Sequence, residues 1–189
     1  YQIGQLRLDE KVSSYTGDKK LAVVVDIDET VLDNSPHAAR SIIENTDYPM
    51  YWDEWCYKAE ALAIPGSVEF LNYAASQGVE TFYISNRKDH LTEASMKNLQ
   101  LRGFPFADEE HIMLRTDSRD KEIRRNKVRE NYDILLYFGD NLGDFLSEFD
   151  DQDNKTRNDL VEKLAAHFGN QFIMLPNPTY GAWLHAMTL

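Results

Sequence analysis

Val23-Val24-Val25-Asp26-Ile27-Asp28-Glu29-Thr30 joins a valine run to two aspartates that flank a single isoleucine. With Leu21 and Ala22 ahead of it, the run has strand length and is apolar at every position. A strand covered on both faces by a parallel sheet's helices reads this way. The two carboxylates then fall just past the strand's carboxyl end, where open α/β sheets bind their ligands. Side by side in a partly desolvated site, they cannot both stay ionised cheaply without a cation. Oxygen donors of this kind suit Mg²⁺. For the octapeptide alone, an ordinary acidic turn is the competing reading.

Working outward, strand-like apolar runs recur at Thr81 to Ile84, Ile112 to Leu114, Ile134 to Phe138 and Phe172 to Leu175. Helical patterns fill the gaps. Pro65 and Gly66 open one that Gly78 closes. Leu91 to Arg102 ends at Gly103, a C′ glycine. Ser118 is a candidate cap for a helix to about Glu130. Thr156 with Asp159 reads as a capping box, with Leu160, Leu164 and Phe168 on one face. Alternating strand and helix predicts an α/β fold with a doubly wound, mainly parallel Rossmann-like sheet. Residues 34–64 break the rhythm and carry Tyr48, Tyr51, Trp52, Trp55 and Tyr57. So long a stretch predicts a small, partly helical cap. The first twenty residues are expected to form a helix that packs on it, within one domain spanning 1–189.

The 189 residues are 42% hydrophobic, enough for one sizeable core. A formal net charge of −12 argues against nucleic-acid polymers and anionic membranes as partners. A small phosphorylated substrate stays open, because a metal ion and one buried lysine can reverse the local field. The single cysteine, Cys56, excludes an intrachain disulfide and a cysteine-rich zinc site. The longest apolar runs are five residues, far below the roughly 20 that span a bilayer.

Three further signals bear on chemistry. Phe138-Gly-Asp-Asn-Leu-Gly-Asp144 again ends an apolar run in carboxylates, so that Asp140, with Asp144 beside it, becomes a candidate metal ligand. Ser85 and Asn86 follow the second strand, where a hydroxyl can hydrogen-bond a phosphoryl oxygen. Lys121 lies between the third and fourth strands and can neutralise phosphate and a carboxylate nucleophile. Each signal alone is weak, since serine caps, acidic turns and surface lysines are common.

In order, Asp26-x-Asp-x-Thr30, Ser85, Lys121 and Gly139-Asp-x-x-x-Asp144 make a specific set. With Asp26-Ile-Asp-Glu-Thr-Val-Leu-Asp-Asn-Ser-Pro36, Ile64-Pro-Gly66, Ser85-Asn-Arg-Lys88, Ile173-Met-Leu-Pro-Asn177 and Tyr180-Gly-Ala-Trp183, the chain resembles the haloacid dehalogenase (HAD) superfamily. More narrowly it resembles the bacterial class C acid phosphatases, the lipoprotein 5′-nucleotidases, over nearly all residues after 20. Position 143 is Gly where that family often has Asp. The resemblance implies a Mg²⁺-dependent phosphomonoesterase with Asp26 as nucleophile and Asp28 as general acid and base. It implies metal binding by Asp26, the Asp28 carbonyl and Asp140, with Asp144 nearby, and phosphate binding by Ser85, Asn86 and Lys121. Trp52 and Tyr180 would sandwich the base of a nucleoside monophosphate, with Trp55 and Trp183 as weaker candidates. Rings that fill the core between cap and sheet are the alternative. A homodimer, and a periplasmic, outer-membrane or secreted location with any anchor removed, belong to the same expectation. The rivals are a HAD phosphotransferase or dehalogenase, a receiver domain and a non-catalytic binding lipoprotein. A receiver would carry its acceptor aspartate after a middle strand, not the first.

Overall fold

The computed structural model describes residues 1–187. Its helices are α1 (Gln2–Ser14), α2 (Ser35–Glu44), α3 (Trp52–Lys58), α4 (Ser67–Ser76), α5 (Thr92–Leu101), α6 (Glu122–Asn131), α7 (Asn154–Lys163) and α8 (Ala182–Ala186). Its strands are β1 (Lys20–Val25), β2 (Leu32–Asp33), β3 (Leu62–Ala63), β4 (Val79–Lys88), β5 (Ile112–Arg115), β6 (Tyr132–Gly139) and β7 (Phe172–Met174). Five of these form one sheet in the order β5-β4-β1-β6-β7, with every neighbouring pair parallel. The chain runs from central β1 out through β4 to β5, then returns to the other side of β1 for β6 and β7. That reversal opens a crevice between the carboxyl ends of β1 and β6.

The period of two along β1 builds both sides of the core. Val23 and Val25 pack with Leu8 of α1, Phe70 and Leu71 of α4, and Leu99 of α5. Ala22 and Val24 face the other way, into a cluster with Val128 of α6, Phe145 and Phe172. Because β1 is buried on both faces, polar alternation would have been costly there.

All five expected strands form. β4 runs on to Lys88, past the expected Ile84, and its pairing with β5 breaks register between the two. Ser85 and Asn86 therefore lie within a strand, not after one. Helices α4 and α5 form where expected, and Gly103 takes φ +80° behind α5.

Two helix starts differ from expectation. The Asp120 N–H donates to Ser118 Oγ and the Glu122 N–H to Asp120 Oδ1, so residues 118–121 form turns and α6 starts at Glu122. Asp153, not Thr156, caps α7 by accepting the Thr156 N–H, while Asp159 pairs with Lys155. A separate 3-10 turn, Ala165–His167, follows α7, so Leu160, Leu164 and Phe168 do not share one helical face. The N-terminal helix α1 forms, but its main contacts are with α4 and β6 and not with the cap. The insertion between β1 and α4 holds α2 and α3 above a short antiparallel ribbon, β2–β3, that closes its base.

Candidate active site

Asp26 extends β1 by one residue, its N–H donating to the Phe138 carbonyl at 2.9 Å. Asp140 directly follows β6, and Asp144 ends the 3-10 turn Leu142–Asp144. These three buried carboxylates each bring an oxygen within 4.8 Å of the others. Two of them pair with one cation: Lys121 Nζ lies 2.6 Å from Asp26 Oδ1 and 2.6 Å from Asp144 Oδ1. Burial pushes the Asp26 carboxyl up, and the Asp144 and Asp28 charges add to this. Lys121 pulls it back only in part. Burial, with the charges of Asp144 and Asp26, raises Asp140 as well. Asp140 Oδ2 accepts from the amides of Asn141 at 2.8 Å and Asn177 at 2.7 Å. The cluster is short of positive charge, and its hard oxygen donors fit a divalent cation.

Two glycines make this packing feasible. A Cβ on Gly139 would come within 2.3 Å of Asp144 Cβ, so Asp144 sits against bare backbone. A Cβ on Gly143 would meet Asp150 Oδ1 at 2.2 Å. The space that a position-143 aspartate would need is already filled by the carboxylate of Asp150.

Asp28 turns its carboxylate away from the other three. Arg87 grips it with Nη2 at 2.7 Å and Nε at 3.0 Å from Oδ1, and Asn34 Nδ2 donates to the same oxygen at 2.8 Å. Trp55 Nε1 donates to Asn34 Oδ1 at 2.8 Å, so a cap ring holds the amide that holds Asp28. The Asp28 charge outweighs the cost of burying Arg87 and raises that guanidinium's pKa. Only the backbone carbonyl of Asp28 is left for the metal role that the resemblance implies. Ser85 is buried, its hydroxyl 3.4 Å from Asp28 Oδ2. Asn86 accepts from Arg124 Nη2 through Oδ1 at 2.7 Å.

Sequence reasoning assigned no role to Arg87, Asn34, Glu29 or Asn177. The period of two from Ser85 to Arg87, on a strand recognised as longer, would have put both on one face. Glu29 takes φ +54° and is pushed up to about 8, first by burial and then by the Asp28 charge. Non-glycine residues in this conformation cluster at functional sites. Trp52 is 9% exposed, edge-on to His37 and Tyr48, with the Arg87 guanidinium 5.4 Å from its ring centroid. That burial fits core filling better than base stacking. Tyr180 is 40% exposed and stands beside Asn177, to whose Oδ1 its N–H donates at 3.4 Å.

The family model for HAD superfamily subfamily IIIB, acid phosphatase, matches residues 2–183. Two solved structures of the class C acid phosphatase from Bacillus anthracis superpose with TM-score 0.96 at 49% identity, covering 100% of this chain and 79% of that one. One of them has tungstate bound. The Glycine max stem 31 kDa glycoprotein is 29% identical over 130 residues, 65% of this chain and 51% of that protein. Vegetative storage protein 1 of Arabidopsis thaliana is 24% identical over 135 residues, 66% of this chain and 49% of that protein. The chain thus spans about half the length of the curated relatives it matches.

Proposed function

This chain belongs to the acid phosphatases of HAD subfamily IIIB, and from that membership we propose that it is a magnesium-dependent phosphomonoesterase working through a phospho-aspartyl intermediate. The observation that carries the proposal is the buried Asp26–Lys121–Asp144 arrangement with Asp140 beside it. A carboxylate nucleophile splits ester hydrolysis into two easier transfers. Phosphoryl transfer asks mainly for positioning and charge neutralisation.

Asp26 attacks phosphorus, the bond to the ester oxygen breaks, and Asp28 gives that oxygen a proton. Asp28 then takes a proton from water, whose oxygen attacks phosphorus and frees Asp26 and inorganic phosphate. Ser85, Asn86 and Lys121 hold phosphoryl oxygens meanwhile. The Asp26, Asp140 and Asp144 carboxylates and the Asp28 carbonyl would hold Mg²⁺, which supplies neutralisation of the developing charge. Arg87 keeps Asp28 aimed between steps. Tungstate in the Bacillus anthracis relative supports a tetrahedral oxyanion as ligand. A purely storage role, as one relative's name suggests, has no use for ion-paired carboxylates buried around one lysine.

p-Nitrophenyl phosphate assayed with Mg²⁺, with EDTA, and with Mg²⁺ restored tests the reading. Hydrolysis lost to EDTA and recovered with Mg²⁺ is the expected result; none under any condition, or full rates without metal, sinks it. Phosphate released in step with p-nitrophenol, even with glycerol present, separates a hydrolase from a phosphotransferase. Nucleoside monophosphates are the proposed substrate class, with Tyr180 the better-exposed ring. Tyr180→Ala should raise their KM about tenfold, the worth of one stacked base, and that of p-nitrophenyl phosphate less. Equal losses on both would remove the nucleotide assignment. A periplasmic or outer-membrane location and a homodimer belong to the same proposal, and cell fractionation and sedimentation check them. No helix among the described residues is long and apolar enough to cross a membrane.

A further inference from the structure

Helix α6 begins beside Lys121, and Arg124 and Arg125 follow at a spacing that puts all three on one helical face. All three are buried, and each serves a different part of the site. Lys121 joins Asp26 to Asp144. Arg125 donates to the carbonyls of Gly143 at 3.0 Å and Asp144 at 2.8 Å, and to Glu122 Oε2 at 2.8 Å. Arg124 reaches the carboxyl-end half of β4. Its Nη1 donates to the Ser85 carbonyl at 2.5 Å and its Nη2 to Asn86 Oδ1 at 2.7 Å. Longer bonds run to the carbonyls of Met113 at 3.4 Å and Arg119 at 3.3 Å.

The three cations differ in one respect. Lys121 and Arg125 each have a carboxylate partner. Arg124 has none among the described residues; every acceptor it touches is a neutral oxygen. A buried guanidinium without an anion is costly. Burial pulls it down to about 10 from the usual arginine value, with Arg125 and Arg115 adding repulsion and Asp26 the strongest attraction. The negative charge missing here is one that a ligand can bring, and the two residues with which Arg124 makes its shortest bonds are two of the three assigned to phosphate.

We propose that Arg124 is the positioning residue of the phosphate clamp: it fixes Ser85 and Asn86 toward the phosphoryl group, and its charge is matched only when that dianion is bound. This rests on the phosphomonoesterase reading. A lysine could keep the charge, but it could not span a carbonyl and an amide oxygen as the planar fork does.

The test uses the full chain with saturating Mg²⁺ and three variants, Arg124→Met, Arg124→Lys and Asn86→Ala. Melting temperature, the Mg²⁺ concentration for half-activation, kcat and KM on p-nitrophenyl phosphate, and Ki for inorganic phosphate are measured for each. Arg124→Met should raise KM and Ki by about tenfold or more, as expected for loss of a charge-assisted hold, with half-activation by Mg²⁺ unchanged. Arg124→Lys and Asn86→Ala should fall between it and wild type. A folded Arg124 variant whose Ki stays within about twofold of wild type would overturn the proposal and leave Arg124 a packing residue. If Arg124→Met does not fold, Arg124→Lys decides on the same criterion. Wild-type protein that neither hydrolyses p-nitrophenyl phosphate nor gains melting temperature with phosphate would sink the phosphatase reading, and this inference with it. Active wild type with indifferent variants sinks this inference alone.

Discussion

The two ends of the same strands treat charge in opposite ways. At the carboxyl ends of β1 and β6, three buried carboxylates cluster, Lys121 pairs with Asp26 and Asp144, and Asp26 and Asp140 are pushed up. At the amino ends, one carboxylate has three donors. Glu80 of β4 accepts from the Tyr132 hydroxyl at 2.6 Å, His111 Nε2 at 3.0 Å and Lys20 Nζ at 3.1 Å. Burial alone would raise Glu80, but those partners outweigh it and hold it at about 2. One fold thus tolerates an unmatched charge cluster at one end and fully satisfies a charge at the other. The oversupplied acid stabilises the domain; the undersupplied ones keep capacity for a ligand.

The largest test breaks the carboxyl end. Asp26→Asn should abolish turnover of p-nitrophenyl phosphate with the fold intact, since the two side chains are isosteric. Asp140→Asn should make the chelated protein melt higher, by the equivalent of roughly 1 kcal/mol, because it removes one of the mutually repelling carboxylates. Thermal melts in EDTA decide this, and a lower melting point would mean that the cluster is not under electrostatic strain.

Asp28→Asn sharpens the same end. Its loss should reach about 10²–10⁴-fold for alkyl phosphates, which need a proton at the leaving oxygen. In the intermediate-forming step p-nitrophenyl phosphate should lose less. Equal losses in single-turnover kinetics would remove Asp28 from the acid role.

The opposite substitution belongs to the amino end. Glu80→Gln should leave kcat and KM unchanged and lower stability by about 1–3 kcal/mol, the usual cost of weakening hydrogen bonds to a partly buried charge. Urea unfolding beside a standard assay checks both, and a change in kcat would show that the two ends are coupled through the sheet.

This contrast was half legible from sequence. The valine run before Asp26 and the apolar run before Asp140 announce two buried strands ending in acids, because burial on both faces leaves a simple pattern. Lys121 gained weight only with the family resemblance, since a lone lysine has no periodic signature. Arg87 and Arg124 were missed for a similar reason. Each acts through a partner distant in sequence, 59 residues in the case of Arg87 and Asp28 and 39 for Arg124 and Ser85. The amino-end cluster was invisible for the same cause: Lys20, Glu80, His111 and Tyr132 come from four separate segments and meet only once the strands align. Helix starts failed at Ser118, whose hydroxyl accepts from backbone in a turn instead of capping a helix, and at Thr156, where Asp153 three residues earlier is the cap.

The smallest effect tests whether the amino end is held by charge or by shape. His111 lies between two carboxylates, with Nδ1 2.7 Å from Asp108 Oδ1 and Nε2 3.0 Å from Glu80 Oε2. Both partners are carboxylates, which accept, so they favour the imidazolium form, in which both ring nitrogens donate. Burial opposes that charge, but the two carboxylates outweigh it and raise the His111 pKa. A raised folded-state pKa gives stability that is full below the unfolded value, about 6.5, and is lost as pH climbs through the folded value. Glu80 runs the other way: its contribution is full above the ordinary glutamate value, about 4.3, and is lost as pH falls toward about 2. The cluster is therefore strongest in the window between those two ordinary values. His111→Gln should lower stability by about 1 kcal/mol in that window, the net worth of a hydrogen bond. The gap should narrow as pH rises toward 9. Measuring it as a difference from wild type at saturating Mg²⁺ cancels the titration of the carboxyl end. The ring also packs against Phe82 at 4.8 Å and Phe106 at 4.9 Å. A gap that does not change with pH would mean that this packing, not the ion pairs, is what His111 contributes, and the amino end would no longer stand as the charge-matched counterpart of the active site.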